Sequence, residues 1–247
     1  SIDGLKQHVL FMYDYIDKIK SAILDGGGLQ VFRYDIGLGA DFLINYTYYS
    51  LFDPLTIIAY IIPLKYIEFS YYLLIFIRLY LSGIFVIMLA RKMDIRKNEA
   101  LLATAIFYVF NMAVLFSAFR HPMFINGPML LPLIILGIEK IYRKENPFLL
   151  IVTTFVALIS QFYFFIYLTF GFELYIIIRS FPDIKQKRFS EFIKLNFIYL
   201  LGTLLGGFVL IPQLIGTLSG SRLGIKGFVF YNNIDYATLI FSLFIPL

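Results

Sequence analysis

The sequence predicts an all-α, polytopic transmembrane helix bundle with a long first external loop that carries amphipathic and interfacial helices. Three observations carry this. Of the 247 residues, 60% are hydrophobic and only 15% charged, and the mean hydropathy is +0.81, more apolar surface than a soluble domain can bury. Several apolar runs approach the ~20 residues that cross ~30 Å of hydrocarbon as a helix. The basic residues sit in short loops between those runs, where positive charge orients helices in a membrane. The simplest division is one membrane domain over residues 1–247, with an external loop at 1–68 and transmembrane helices at 69–247.

The net charge of +5 is therefore a topological signal, and nucleic acid is not an expected partner. With no cysteine there is no disulfide, thiolate nucleophile or zinc–thiolate site, and two histidines supply little for a histidine metal cage. The chain opens at Ser1 without a basic segment or apolar leader and closes inside an apolar run. A piece of a longer protein is the expectation.

From Asp3 to Leu24, apolar residues at Leu5, Val9, Met12, Ile16, Ile19 and Ile23 recur at helical spacing with charged residues between them, which predicts an amphipathic helix against the membrane or protein body. Gly26-Gly27-Gly28 ends it. The triplet lacks a following Gly-Lys-Ser/Thr and reads as a linker. Gly37-Leu38-Gly39 lacks the third glycine and the βαβ setting of a dinucleotide site and reads as a tight turn. Asp53-Pro54 has the form of an N-cap with proline in the first turn, opening an apolar helix to about Ile62 that is too short to span.

The spans follow. Phe69 to Ala90 leads to the basic stretch Arg91–Lys97, expected in the cytoplasm, so residues 1–68 are expected outside. Glu99 to Phe119 returns outward to Arg120-His121-Pro122, and Met123 to Ile141 comes back to Lys140, Arg143 and Lys144. Pro147 to Ile178 is too long for one ordinary span and short for two. Basic loops on both sides make it a hairpin of short helices turning near Ser160–Tyr163. Leu195 to Leu214 exits, Gly216 to Asp235 is an external polar loop, and another helix begins at Tyr236.

Few polar groups interrupt this pattern. Asp3 fits two compatible roles, an N-cap for the first helix and a general base or metal ligand near the outer face. Arg78 lies in mid-span, where a cation needs a partner, and Glu173 is the expected counter-charge. His121 and Asn126 follow a span on the outer side, either as loop residues or as substrate contacts. Arg222 and Lys226, among Gly220, Gly224 and Gly227, suit either a solvated loop or a phosphate site. Aromatic residues at 46, 48, 49, 52 and 162–165 read as an interfacial belt or as packing, with a stacking platform for sugar rings as the sharper alternative.

Asp3-Gly4 with Gln7, then Phe32–Asp41 and Tyr48–Pro54, resembles the first external loop of YfhO-type bacterial membrane proteins. His121–Asn126 with Leu131–Lys140 resembles that family's next signature, and Gln161-Phe162-Tyr163-Phe164 its polar-aromatic hairpin. The resemblance covers nearly the whole chain. The family in turn is similar to the GT-C glycosyltransferases, which take a sugar from a polyprenyl-phosphate carrier on the outer face of the membrane. In that class an acidic residue early in the first external loop is commonly the catalytic base or a metal ligand.

What the resemblance implies is a glycosyltransferase of the bacterial plasma membrane. Its partners would be a polyprenyl-phosphate-linked sugar donor, a cell-envelope glycan acceptor such as a teichoic acid, and membrane lipids. Asp3 would be the catalytic residue and, if a divalent metal ion takes part, its ligand. Gln7, Arg33, Asp35, His121, Asn126, Gln161 and Arg222 would bind substrate. Arg33 and Asp35 depart from the aromatic or small residues that often flank the family's Gly-Leu-Gly turn. A transporter or flippase of lipid-linked substrates is the rival reading, kept open by the mid-span charges Arg78 and Glu173, and a non-catalytic membrane scaffold is a third.

Overall fold

A computed structural model of the chain describes residues 4–24, 26, 32–33, 39–180 and 188–219. The chain falls into two compact units, 1–213 and 214–247. Of the second, the described part is the end of one helix.

The first unit opens with a π-helical turn, Gly4–His8, that runs into α1 (Val9–Leu24). The expected helix is therefore present, burying Met12, Tyr15 and Ile16 while Leu10 and Ile23 stay exposed. Two two-residue strands, β1 (Phe32–Arg33) and β2 (Ala40–Asp41), pair antiparallel. Gly39 just before β2 has φ +104°, which glycine adopts freely, while Gly37 and Leu38 of the expected tight turn lie outside the described residues. Asp41 caps α2 (Phe42–Tyr48) by accepting from Ile44 N at 2.9 Å, a short helix that the sequence pattern did not announce. Asp53 caps a 3₁₀ turn at Pro54–Thr56, accepting from Leu55 N at 2.9 Å, and α3 (Ile57–Ile61) follows.

The long helices come next. α4 (Ile67–Lys92), continuous with a 3₁₀ turn from Leu64, matches the first expected span. The expected single return is instead two helices, α5 (Asn98–Val109) and α6 (Met112–Arg120), bent by 48°. The break follows from Asn111, which adopts an extended backbone and accepts from Val114 N at 3.0 Å, starting a new helix. α7 (Asn126–Tyr142), entered through a 3₁₀ turn at Pro122–Ile125, is the second long span. α8 (Phe148–Ser160) and α9 (Phe162–Ser180) are separated by Gln161, whose φ of −164° and ψ of 100° interrupt the helix.

Side-chain neighbours fix the directions. Gly137 of α7 lies against Leu150 of α8, while Leu131 and Glu139 lie against Gly171 and Arg179 of α9. α7 is thus antiparallel to α8 and parallel to α9, so α8 and α9 form the expected hairpin. α10 (Arg188–Leu205) starts earlier than Leu195 and is bent by 80° from α11 (Gly207–Ser219), where one exit span was expected. The expected loop at Gly216 to Asp235 and the helix at Tyr236 lie almost wholly outside the described residues. Three described helices are long and apolar enough to cross a membrane, or up to five spans if each bent pair counts as one.

Two cores result. Ile134, Ile138, Leu150, Leu158, Phe172, Ile176 and Leu195 join α7 to α10. Tyr15, Ile16, Phe42, Tyr46, Ala59 and Leu74 hold α1, α2 and α3 onto α4. At one end of the bundle the basic loops meet. Arg143 donates to Lys92 O at 2.6 Å, Lys92 pairs with Glu145, and Arg179 donates to Glu139 at 3.0 Å. A hydrogen bond from Arg96 and the charge of Arg143 hold the Asp94 carboxyl below the usual range, and Lys92 does the same for Glu145. α1, α2 and α3 lie toward the opposite end, where Asp53 meets Arg78 and Asn126.

The α8–α10 contact depends on a glycine. A Cβ at Gly202 would meet Ile151 O at 2.6 Å and Thr154 Cβ at 2.7 Å, both on α8, whereas one at Gly207 would meet nothing within 4 Å. Gly202→Ala is expected to destabilise the protein by about 1–3 kcal/mol through overpacking. Gly207→Ala is expected to be neutral or slightly stabilising, since alanine is the better helix former. Unfolding of the two variants in mixed micelles checks this, and equal effects would contradict the close helix approach.

Candidate functional site

The site is built around the turn from Tyr48 to Asp53. After α2 the chain closes through Tyr49 N and Leu51 N donating to Tyr46 O at 2.9 and 3.1 Å, and Asp53 N donating to Ser50 O at 3.1 Å. Ser50 adopts φ +62°, a left-handed conformation that costs a non-glycine residue energy. This turn receives side chains from four other elements.

The strongest connection is ionic. Arg78, on α4 and 4% exposed, donates from Nη2 to Asp53 Oδ2 at 2.7 Å and from Nε to Asn126 Oδ1 at 2.8 Å. Asn126, at the start of α7, donates from Nδ2 to the same Asp53 oxygen at 2.8 Å. Each member touches the other two. Asp53 is 3% exposed, and its second oxygen is taken by Leu55 N. The partner of Arg78 is therefore Asp53, not Glu173, which hydrogen-bonds with Asn196. Asp53 reads in sequence as a cap, which uses one carboxylate oxygen and leaves the other for a charge brought from elsewhere.

Other expected residues converge on the same turn. Gln7 Nε2 donates to the Tyr49 hydroxyl at 2.8 Å. His121 Nδ1 and Nε2 of the buried His8 lie 2.7 Å apart, so one ring donates to the other. The His121 ring also stacks on Phe124, with centroids 4.8 Å apart. Gln161 Nε2 donates to Tyr48 O at 3.0 Å, which ties the α8–α9 break to the turn, and Tyr163 meets Tyr48 edge-on. Gln213 adds a bond to Ile44 O at 3.0 Å.

Arg33 is placed elsewhere. It is buried in a two-pronged ion pair with Asp14, at 2.6 and 3.4 Å, and Tyr46 joins the same carboxylate. This pair fastens β1 to α1 behind α2. Asp3, Asp35 and Arg222 lie outside the described residues. His8 was not singled out in sequence, although its place next to Gln7 in the polar opening stretch was the available signal.

Two cavities adjoin the turn. A small one of about 30 Å³ is lined by His8, Tyr15, Ser50, Tyr71 and Arg78, among others. Burial, with Tyr60 adding to it, holds the Tyr15 phenol well above its usual range, and its hydrogen bond with Thr56 works the other way. The second, of about 410 Å³, is almost wholly apolar, with Ile19, Phe42, Phe52, Ile57 and Ile159 in its wall and Asp53 at its edge. For a divalent metal the fit is poor among the described residues. No three of His, Asp or Glu come together there as ligands, and the facing nitrogens of His8 and His121 occupy each other.

Fold and site together define a multi-pass helical membrane protein whose opening segment forms a polar pocket over one end of the bundle. The family model for the bacterial membrane protein YfhO matches residues 1–245, and the chain belongs to that family. No curated protein and no solved structure matches it.

The triad makes a quantitative demand. Asp53→Asn leaves the Arg78 cation buried without a counter-charge, which is expected to cost about 3–5 kcal/mol. Removing the cation as well, in Asp53→Asn/Arg78→Met, is expected to be less destabilising than the sum of the single changes by about 0.5–3 kcal/mol. A double-mutant cycle of unfolding free energies checks this. Additive effects would contradict the pairing.

Proposed function

We propose that the protein is a membrane glycosyltransferase of the GT-C-like type. It would transfer a sugar from a polyprenyl-phosphate carrier to a cell-envelope glycopolymer, with the segment 1–68 on the outer face and the basic loops in the cytoplasm. The observation that carries this is the convergence of Gln7, His8, His121, Asp53, Arg78, Asn126 and Gln161 on one turn, at the end of the bundle away from the basic loops. An enzyme needs its polar groups gathered at one place beside the lipid, so that a headgroup and an acceptor meet there in a fixed geometry. The apolar cavity beside Asp53 suits the hydrocarbon chain of a lipid-linked donor.

In this reading Asp3, which directly precedes the helix holding Gln7 and His8, takes the proton of the acceptor hydroxyl or orients it. Arg222 stabilises the departing lipid phosphate. Asn126 and Gln161 keep the turn in register, acting through Asp53 and the Tyr48 carbonyl. The flippase reading has less support. It draws on charges continuing through the membrane, and Arg78 is matched locally by Asp53 instead.

Asp3→Asn tests the assignment, because asparagine keeps the size and capping ability of aspartate while losing its basicity. The full-length variant is expected to insert normally and to transfer sugar about a hundredfold more slowly or worse, measured with a polyprenyl-phosphate sugar donor. Transfer at the wild-type rate would remove Asp3 from the chemistry.

A further inference from the structure

The small cavity beside the triad contains an imbalance that the fold does not explain. Ser50 Oγ and Tyr71 Oη are both buried, both belong to residues lining it, and neither has a hydrogen-bond partner among the described residues. A buried polar group left unpaired is costly. Ser50 is also held at φ +62°, so the turn bears a second cost at the same residue, a combination that clusters at ligand sites. Arg78 lines the same space, and both Asp53 oxygens are already used by Leu55 N, Arg78 and Asn126. The wall therefore offers two hydroxyl donors and a guanidinium, with no free carboxylate to repel an anion. At about 30 Å³, the space admits a group the size of one water or one oxygen atom.

We propose that this cavity is an oxyanion subsite that takes one phosphoryl oxygen, with the Ser50 and Tyr71 hydroxyls donating to it and Arg78 supplying the charge. The proposal rests on the glycosyltransferase reading for its source, the phosphate of a lipid-linked substrate at the membrane surface. Its chemistry is that of any phosphate that reaches the turn. Hydrogen bonds from neutral donors to a charged oxygen are among the stronger ones in proteins. A phosphoryl oxygen bound there would give both hydroxyls a partner. Ser50 and Tyr71 are in this sense binding residues, while Asn126 positions the guanidinium they share the ligand with.

The test uses the full-length protein in lipid nanodiscs with three probes: decaprenyl phosphate, decaprenol lacking the phosphate, and inorganic phosphate. Tyr71→Phe removes only the hydroxyl, and Ser50→Gly removes the hydroxyl while keeping the left-handed turn, which glycine adopts freely. Each variant is expected to bind decaprenyl phosphate about tenfold more weakly than wild type. Decaprenol binding should be unchanged and the melting temperature no lower, since a buried unpaired group has been deleted. A matching loss of inorganic phosphate binding supports the same subsite and identifies free phosphate as a second source. Wild type that ignores decaprenyl phosphate but binds inorganic phosphate through Tyr71 would sink the glycosyltransferase reading and leave the subsite standing. Equal affinity of wild type and both variants for both phosphates, or a fall in melting temperature with no change in affinity, would overturn the proposal in favour of a structural water.

Discussion

A cation cannot be left alone inside an apolar helix, and the end of the bundle opposite the basic loops is arranged around that constraint. Arg78 lies about 16 Å along α4 from its first residue, Ile67, given a rise of ~1.5 Å per residue, and no charged residue of α4 itself is near enough to answer it. The counter-charge comes from Asp53, before the membrane helices begin, and the remaining oxygen geometry from Asn126, at the head of α7. The ion pair is 4% and 3% exposed at its two ends. In such surroundings a pair adds little net stability over apolar packing, but breaking it is expensive. Its main consequence is specificity: the Tyr48–Asp53 turn has one place to sit.

Once the turn is fixed, the rest of the opening segment follows. α1 is held by Tyr15, Ile16 and Phe42 in a core shared with α4, by Lys20 donating to Ile62 O at 2.9 Å, and by the Arg33–Asp14 pair. The π-helical turn at its head brings Gln7 and His8 to Tyr49 and His121. Gln161 reaches the same turn from the break between α8 and α9, with its side chain fully buried. Polar groups separated by more than a hundred residues in sequence thus meet over one small cavity.

Much of this was legible in the sequence, and the limits were physical. Helical spacing in α1, the cap and proline at Asp53-Pro54 and the length of Pro147–Ile178 are local signals, and each corresponds to an element of the structure. The YfhO family was legible from the opening motifs and is established over residues 1–245. The bend at Asn111 was missed because apolarity sets the length of a run and says nothing of an extended residue inside it. α2 was missed because Tyr46 and Tyr48 were grouped with the interfacial aromatics, although Tyr46 is fully buried. The partner of Arg78 was misjudged because Glu173 also lies in an apolar run, while Asp53 already had a local explanation. Pairings between distant segments leave no periodic trace, so the triad, the His8–His121 contact and the unpaired hydroxyls emerged only in three dimensions.

Arg78 anchors α1, the Tyr48–Asp53 turn and α3 on the bundle. Hydrogen exchange of the full-length Arg78→Met protein measures it most directly, because amide protection reports local opening. Faster exchange is expected only in residues 42–61 and in α1, with α7, α8 and α9 as protected as in wild type. Unchanged protection in residues 42–61, or an equal loss across the whole bundle, would contradict that anchoring.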